Sequence, residues 1–125
     1  MSESNVQMAR RGFDAMLCGD LKAVAEMLDP DVKWHGGDPS SGCQNRAETL
    51  EFMRQALARR GPDIELVDIV DAGDRVVVIM RPQDPEDQGD EPPSPVANLT
   101  TFRDGKVVEM VAYPDPEEAL EAARD

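Results

Sequence analysis

The stretch from Val96 to Arg124, VANLTTFRDGKVVEMVAYPDPEEALEAAR, constrains the fold more than any other part of the chain. Ala97 to Phe102 and Val107 to Tyr113 are apolar-rich runs of strand length, joined by Arg103-Asp104-Gly105-Lys106. Asp-Gly supplies the positive φ angles that a tight hairpin turn needs, so the two runs are expected to pair as a hairpin. After Tyr113-Pro114, Asp115 can cap a helix with Pro116 at its first position and Glu118 three residues past the cap. Ala119, Leu120 and Ala123 form the stripe of that helix. A hairpin and one amphipathic helix cannot bury their apolar faces alone, so the rest of the chain must cover them.

The preceding segments read in order as follows. Ser4 with Gln7 has capping-box spacing, and Val6, Ala9, Phe13, Met16 and Leu17 recur at helical intervals. Gly19-Asp20 breaks this helix. Asp20 can cap a short second one with the stripe Leu21, Val24, Ala25 and Leu28, ending before Asp29-Pro30. Asp31 to Gly36 alternates as a short strand, and residues 37–44 form a Gly/Pro/Ser loop. Asn45 with Glu48 opens a third helix reaching about Arg60, with Leu50, Met53 and Leu57 on one face and Gly61-Pro62 as its stop. Ile64 to Val70 and Arg75 to Arg81 read as strands joined by Asp71-Ala72-Gly73-Asp74. The second contains Val76-Val77-Val78-Ile79-Met80, apolar at successive positions, which marks a central strand covered on both faces. Pro82 to Pro95 holds five of the ten prolines and five acids, and is expected to be an exposed connection between two strands.

Composition narrows the function. A chain of 125 residues makes one domain, assigned to 1–125, with enough length for a real core. Thirteen bases against 26 acids give a net charge of −13, which repels phosphate backbones and anionic lipid, so neither nucleic acid nor membrane is an expected partner. No run reaches the ~18 apolar residues of a membrane span, and MSESNVQMARR lacks the order of a secretory signal, so the expected location is cytoplasmic. Cys18 and Cys43 show neither metal-ligand nor disulfide spacing and are expected to be reduced thiols, one of them in the core. No metal or cofactor is called for.

Helix, short helix, strand, helix, three long strands and a terminal helix is an order that resembles the nuclear transport factor two-like and ketosteroid isomerase-like superfamily. The chain is similar in particular to its SnoaL-like branch, named after a polyketide cyclase, through GFDAMLCGDLKAVAEMLDPDVKWHG, CQNRAETLEFMRQAL, VDIVDAGDRVVVIMRP and TFRDGKVVEMVAYPDPEEALEAA. The resemblance implies an α+β fold in which a cone-shaped, curved, mixed or antiparallel sheet wraps around N-terminal helices, a cystatin-like α+β barrel. It also implies a cavity suited to a small hydrophobic molecule, and a homodimer through the outer sheet face. The superfamily spans isomerases, cyclases, epoxide hydrolases, dehydratases and binding modules, so the resemblance does not by itself select an activity.

Two side chains are candidates for proton transfer. His35 is the single histidine, and Glu109 shares a strand face by alternation with Val107 and Val111. Trp34, Arg81, Asn98, Thr100 and Tyr113 are candidates for holding a ligand, because polar groups on apolar sheet faces need a hydrogen-bond partner or a ligand. On a strand Trp34 and His35 point to opposite faces, so at most one faces the cavity without a bulge. The plainer alternatives are a histidine at a strand end, a solvated glutamate and a structural polar network. Two functional readings follow. One is a small-molecule-binding protein whose pocket suits a hydrophobic ring compound. The other is a cofactor-free isomerase, cyclase or dehydratase using acid/base chemistry in the cone.

Overall fold

In the computed structural model, which describes residues 4–38, 40–60, 64–82 and 95–124, Ser4 opens the first helix with both arms of a capping box. Its hydroxyl accepts from the Gln7 backbone N–H at 3.2 Å, and its own N–H donates to the Gln7 side chain at 3.2 Å. The elements that follow are α1 (Asn5–Leu17), α2 (Leu21–Met27), β1 (Leu28–His35), α3 (Arg46–Arg60), β2 (Ile64–Ala72), β3 (Arg75–Pro82), β4 (Val96–Arg103), β5 (Lys106–Tyr113) and α4 (Pro116–Arg124). Asp20 caps α2 by accepting from the Ala23 N–H, and Asp115 accepts from the Glu117 N–H at the start of α4. Asp104 and Gly105 both take positive φ, 53° and 78°, as the tight turn between β4 and β5 requires. Leu28 is the one clear shift in the elements. Its spacing continues the α2 stripe, yet it is extended (φ −95°, ψ 135°) and begins β1, because Asp29-Pro30 disfavours a further helical turn. The proline- and acid-rich connection expected after Pro82 lies outside the described residues.

The five strands form one sheet in the order β1-β5-β4-β3-β2, with β1 parallel to β5 and every other pair antiparallel. The sheet is buried on two sides. Val76, Val78, Phe102 and Met110 face inward to Met8 and Phe13 of α1, Val24 of α2 and Met53 of α3. Val77, Ala97 and Leu99 face outward to Ala119 of α4. Val76 and Val77 are neighbours on β3 and both have no exposed surface, so the central strand is covered from both faces. This is the mixed-sheet α+β cone expected from the order of elements. α4 covers part of the outer face through which the resemblance implies that two copies pair.

Besides a register shift in β1 between Leu28 and Lys33, bulges in β5 and β2 adjust which side chains point where. Thr101 pairs with Glu109 but Phe102 pairs with Val107, which leaves Val108 as an extra residue. Val107 therefore joins Met110 in the inner core, where simple alternation places it beside Glu109 on the other face. The bulge between Leu66 and Asp68 similarly leaves Val67 unpaired, and it is 43% exposed. Neither cysteine lies in the core, since Cys18 is exposed and Cys43 half-buried. Among the described residues no helix is long and apolar enough to cross a membrane.

Arg75 fixes the outer layer. Its guanidinium donates to the Ala122 carbonyl at 3.2 Å and the Ala123 carbonyl at 3.1 Å, which satisfies otherwise unpaired groups at the C-terminus of α4 and places a cation at the negative end of its dipole. Arg75→Met keeps the apolar stem and removes these bonds. It is expected to lower stability by about 1–2 kcal/mol, read as a lower urea midpoint with an unchanged slope.

Candidate functional site

Trp34, near the end of β1, packs on the inner face against α3. The loop after His35 folds back along the free edge of β1 and makes a two-bond bridge: Trp34 N–H donates to the Cys43 carbonyl at 3.0 Å, and Cys43 N–H donates to the Trp34 carbonyl at 2.8 Å. Gly42 permits this approach. It sits at φ 84°, and a Cβ there would lie 2.4 Å from the Trp34 carbonyl oxygen and 3.1 Å from the His35 Cα. Lys33 Nζ holds the returning segment by donating to the Gln44 carbonyl at 3.1 Å.

The same segment starts α3. Asn45 Oδ1 accepts from the Glu48 N–H at 2.9 Å, while the Glu48 carboxylate accepts from the Gln44 N–H at 2.8 Å, a capping arrangement displaced by one residue. Thr49, with no exposed surface, donates its hydroxyl to the Asn45 carbonyl and locks that turn. With Met53 in the core, helical spacing turns Phe52 away from the α3 stripe, and its ring meets Trp34 edge to face, with centroids 5.0 Å apart and planes at 79°. Phe52 is nevertheless 52% exposed, an unusual cost for so large an apolar group.

Between these rings and β5 lies an open, mainly apolar cleft of about 700 Å³. Trp34, Phe52, Cys43 and Ala112 contribute to its apolar walls, with Glu48, Glu51 and Gln55 on the α3 side. Ala112 is the cross-strand partner of Asn98, and the indole Nε1–H of Trp34 donates to Asn98 Oδ1 at 3.3 Å. The Glu51 carboxyl is held below its ordinary range by hydrogen bonds from Arg54 and Gln55. Burial pushes the Cys43 thiol upward, and the charge of Glu48 adds to this.

His35 is buried and also borders the cleft, but both of its ring nitrogens are engaged. The Gly37 N–H donates to Nδ1 at 3.0 Å, so that nitrogen carries no proton in this arrangement. Nε2 then carries it and donates to Glu109 Oε2 at 3.1 Å. Glu109 does not border the cleft. It lines a separate, more polar hollow of about 490 Å³ with Asp29, Asp31, Thr101, Arg103 and Val108.

The seven residues singled out in the sequence therefore divide between the two sides of the sheet. Trp34, Asn98 and Thr100 belong to the inner face, with Thr100 buried and Trp34 bonded to Asn98. His35 and Glu109 are brought together, but by alternation from Trp34 and Met110 they belong to the outer side. Tyr113 packs with the outer cluster around Ala119, and Arg81 lies 3.7 Å from Glu65 on that same side. Tyr113 and Arg81 thus cannot grip one molecule together with Asn98, because the sheet separates them. Phe52, Gln55 and Cys43 are cleft residues that sequence reasoning missed. The available signal was Phe52 itself, an aromatic on an amphipathic helix one position off the Leu50, Met53 and Leu57 stripe.

The fold and the cleft define a protein of the nuclear transport factor two-like superfamily, a mixed five-stranded sheet packed with helices. Residues 9–110 match the SnoaL-like domain, and the chain belongs to that family. Solved structures agree in fold. An uncharacterised cystatin-fold protein from Novosphingobium aromaticivorans has 18% identity over 89% of this chain and 98% of its own, with TM-score 0.73. A nuclear transport factor two-like protein of unknown function from Burkholderia pseudomallei has 22% identity over 98% and 100%, with TM-score 0.67. A protein from Sinorhizobium meliloti proposed as a polyketide cyclase has 23% identity over 80% and 87%, with TM-score 0.62. No curated protein matches the sequence.

Two outcomes check this geometry. Gly42→Ala combines a positive φ with a backbone clash and is expected to cost about 2 kcal/mol or more, with a red shift of Trp34 emission as the bridge opens. Iodoacetamide at neutral pH is expected to label exposed Cys18 well before Cys43, whose upward-shifted thiol is short of thiolate, as read by peptide mass spectrometry.

Proposed function

We propose that this protein binds a small, largely hydrophobic ring compound in the cleft between β1 and α3. The observation that carries this reading is the Trp34–Phe52 pair, which leaves an aromatic ring half in solvent at the wall of an apolar opening of ligand size. Trp34 packs against the core of Met53, Val76, Phe102 and Met110, while Phe52 stays half-exposed beyond it. Two further expectations travel with the proposal, a cytoplasmic location and a homodimer; neither bears on the cleft.

A second reading, cofactor-free isomerisation, cyclisation or dehydration, has the His35–Glu109 hydrogen bond and the cyclase proposed for the Sinorhizobium meliloti neighbour in its favour. It asks more of the molecule. To take a proton from a bound ring compound, His35 must free Nδ1 from the Gly37 N–H or first pass its Nε2 proton to Glu109, and Glu109 itself opens onto the other hollow. Binding needs no such rearrangement.

Trp34 is the single tryptophan, so intrinsic emission reports on the cleft directly. Titration with bicyclic ketones, alcohols and epoxides is expected to change that emission saturably. Phe52→Ala should then weaken binding about tenfold, by removing one apolar wall. Emission indifferent to every ring compound, or affinity untouched by the loss of Phe52, would sink the proposal. Turnover of any bound epoxide or ketone, followed by product analysis, would favour the catalytic reading.

A further inference from the structure

Resting on the cleft reading above, we infer that the cleft selects its ligand by charge, accepting a ring compound that bears a protonated amine and rejecting the matching carboxylate. Among the described residues, the cleft is lined by two carboxylates, Glu48 and Glu51, and by no lysine or arginine. Glu48 spends one oxygen on the Gln44 N–H and Glu51 is bonded to Arg54 and Gln55, so both are anchored at the opening rather than swinging in solvent. Arg54, the cation beside them, is committed to Glu51 through its Nε at 3.0 Å.

Among the described residues, the other elements around the cleft add no lysine or arginine to its lining. From β1, His35 borders it, with Nδ1 accepting from the Gly37 N–H and Nε2 donating to Glu109. Lys33 is not among the lining residues, and its Nζ donates to the Gln44 carbonyl. In the loop, Asp38 is held below its usual range, chiefly by the side-chain hydrogen bond from Ser40, and so stays anionic at neutral pH. β5 contributes Ala112.

The aromatic walls reinforce the preference. The indole N–H of Trp34 is turned to Asn98, and the half-exposed Phe52 ring stands across from it, so an ammonium entering between the rings and the carboxylates meets electron-rich π surface and negative charge together. A carboxylate entering the same space loses its water and meets like charge, within a chain whose net charge is already −13.

The test uses three indanes that differ in one group: 2-aminoindane, 2-indanol and indane-2-carboxylate, each titrated against the full chain while following Trp34 emission. The amine is expected to bind roughly tenfold tighter than the alcohol, and the carboxylate weakest, with the spread shrinking as salt is raised. Glu51→Gln, at a side chain 51% exposed, should narrow the amine-to-carboxylate gap severalfold. Glu48→Gln should act in the same direction, and circular dichroism confirms that each variant is folded. Equal binding of all three, or a carboxylate that binds as well as the amine, overturns charge selection while leaving the cleft as a hydrophobic site. No response to any of the three, or to the neutral ring compounds, removes the cleft reading and this inference with it.

Discussion

Burial of β3 from both sides is the constraint on which the rest of this structure depends. Val76 and Val77 are adjacent, point in opposite directions and expose nothing, so the sheet needs helices on each face. α1, α2 and α3 supply the inner cover, while α4, held by Arg75 through its last carbonyls, supplies the outer one. Because β5 is inserted between β1 and β4, the N-terminal strand ends beside the C-terminal hairpin. That insertion carries Trp34 to within reach of Asn98, 64 residues later.

The cleft follows from how that edge is finished. β1 is an edge strand, and the loop after it blunts the edge with the Trp34–Cys43 bridge before turning into α3. Gly42 at φ 84° allows the loop to lie against the strand, and the capping bonds of Asn45 and Glu48 set the starting point of α3. The helix then offers Met53 to the core and Phe52 to Trp34. The polar and acidic character of the opening comes from the same turns, since the residues that begin the helix include Glu48 and Glu51.

The two pairings made by the sequence-level candidates show the limit of alternation as a guide. Alternation correctly separates Trp34 from His35, and it places Asn98 and Thr100 on the face of Phe102. It fails at Val107, because the bulge at Val108 shifts one residue of β5 relative to β4. It also gives no hint that His35 and Glu109, 74 residues apart, share a hydrogen bond, or that Gly37 commits the other ring nitrogen. The His35–Glu109 contact depends on the parallel β1–β5 register, which leaves no short-range pattern.

Local chemistry was enough to determine the helix caps at Ser4, Asp20, Asn45 and Asp115, the Asp104-Gly105 turn, the double burial of β3 and the family to which these belong. Each is set by residues within a few positions of one another, or by the period of the apolar residues along one element. Which face meets which partner was decided only by tertiary structure. The strand order, the bulges, the division of polar candidates across the sheet and the meeting of Trp34 with Phe52 all arise from pairing between distant segments. Such pairing is fixed by the joint packing of the whole core, a property that no single stretch of the chain encodes.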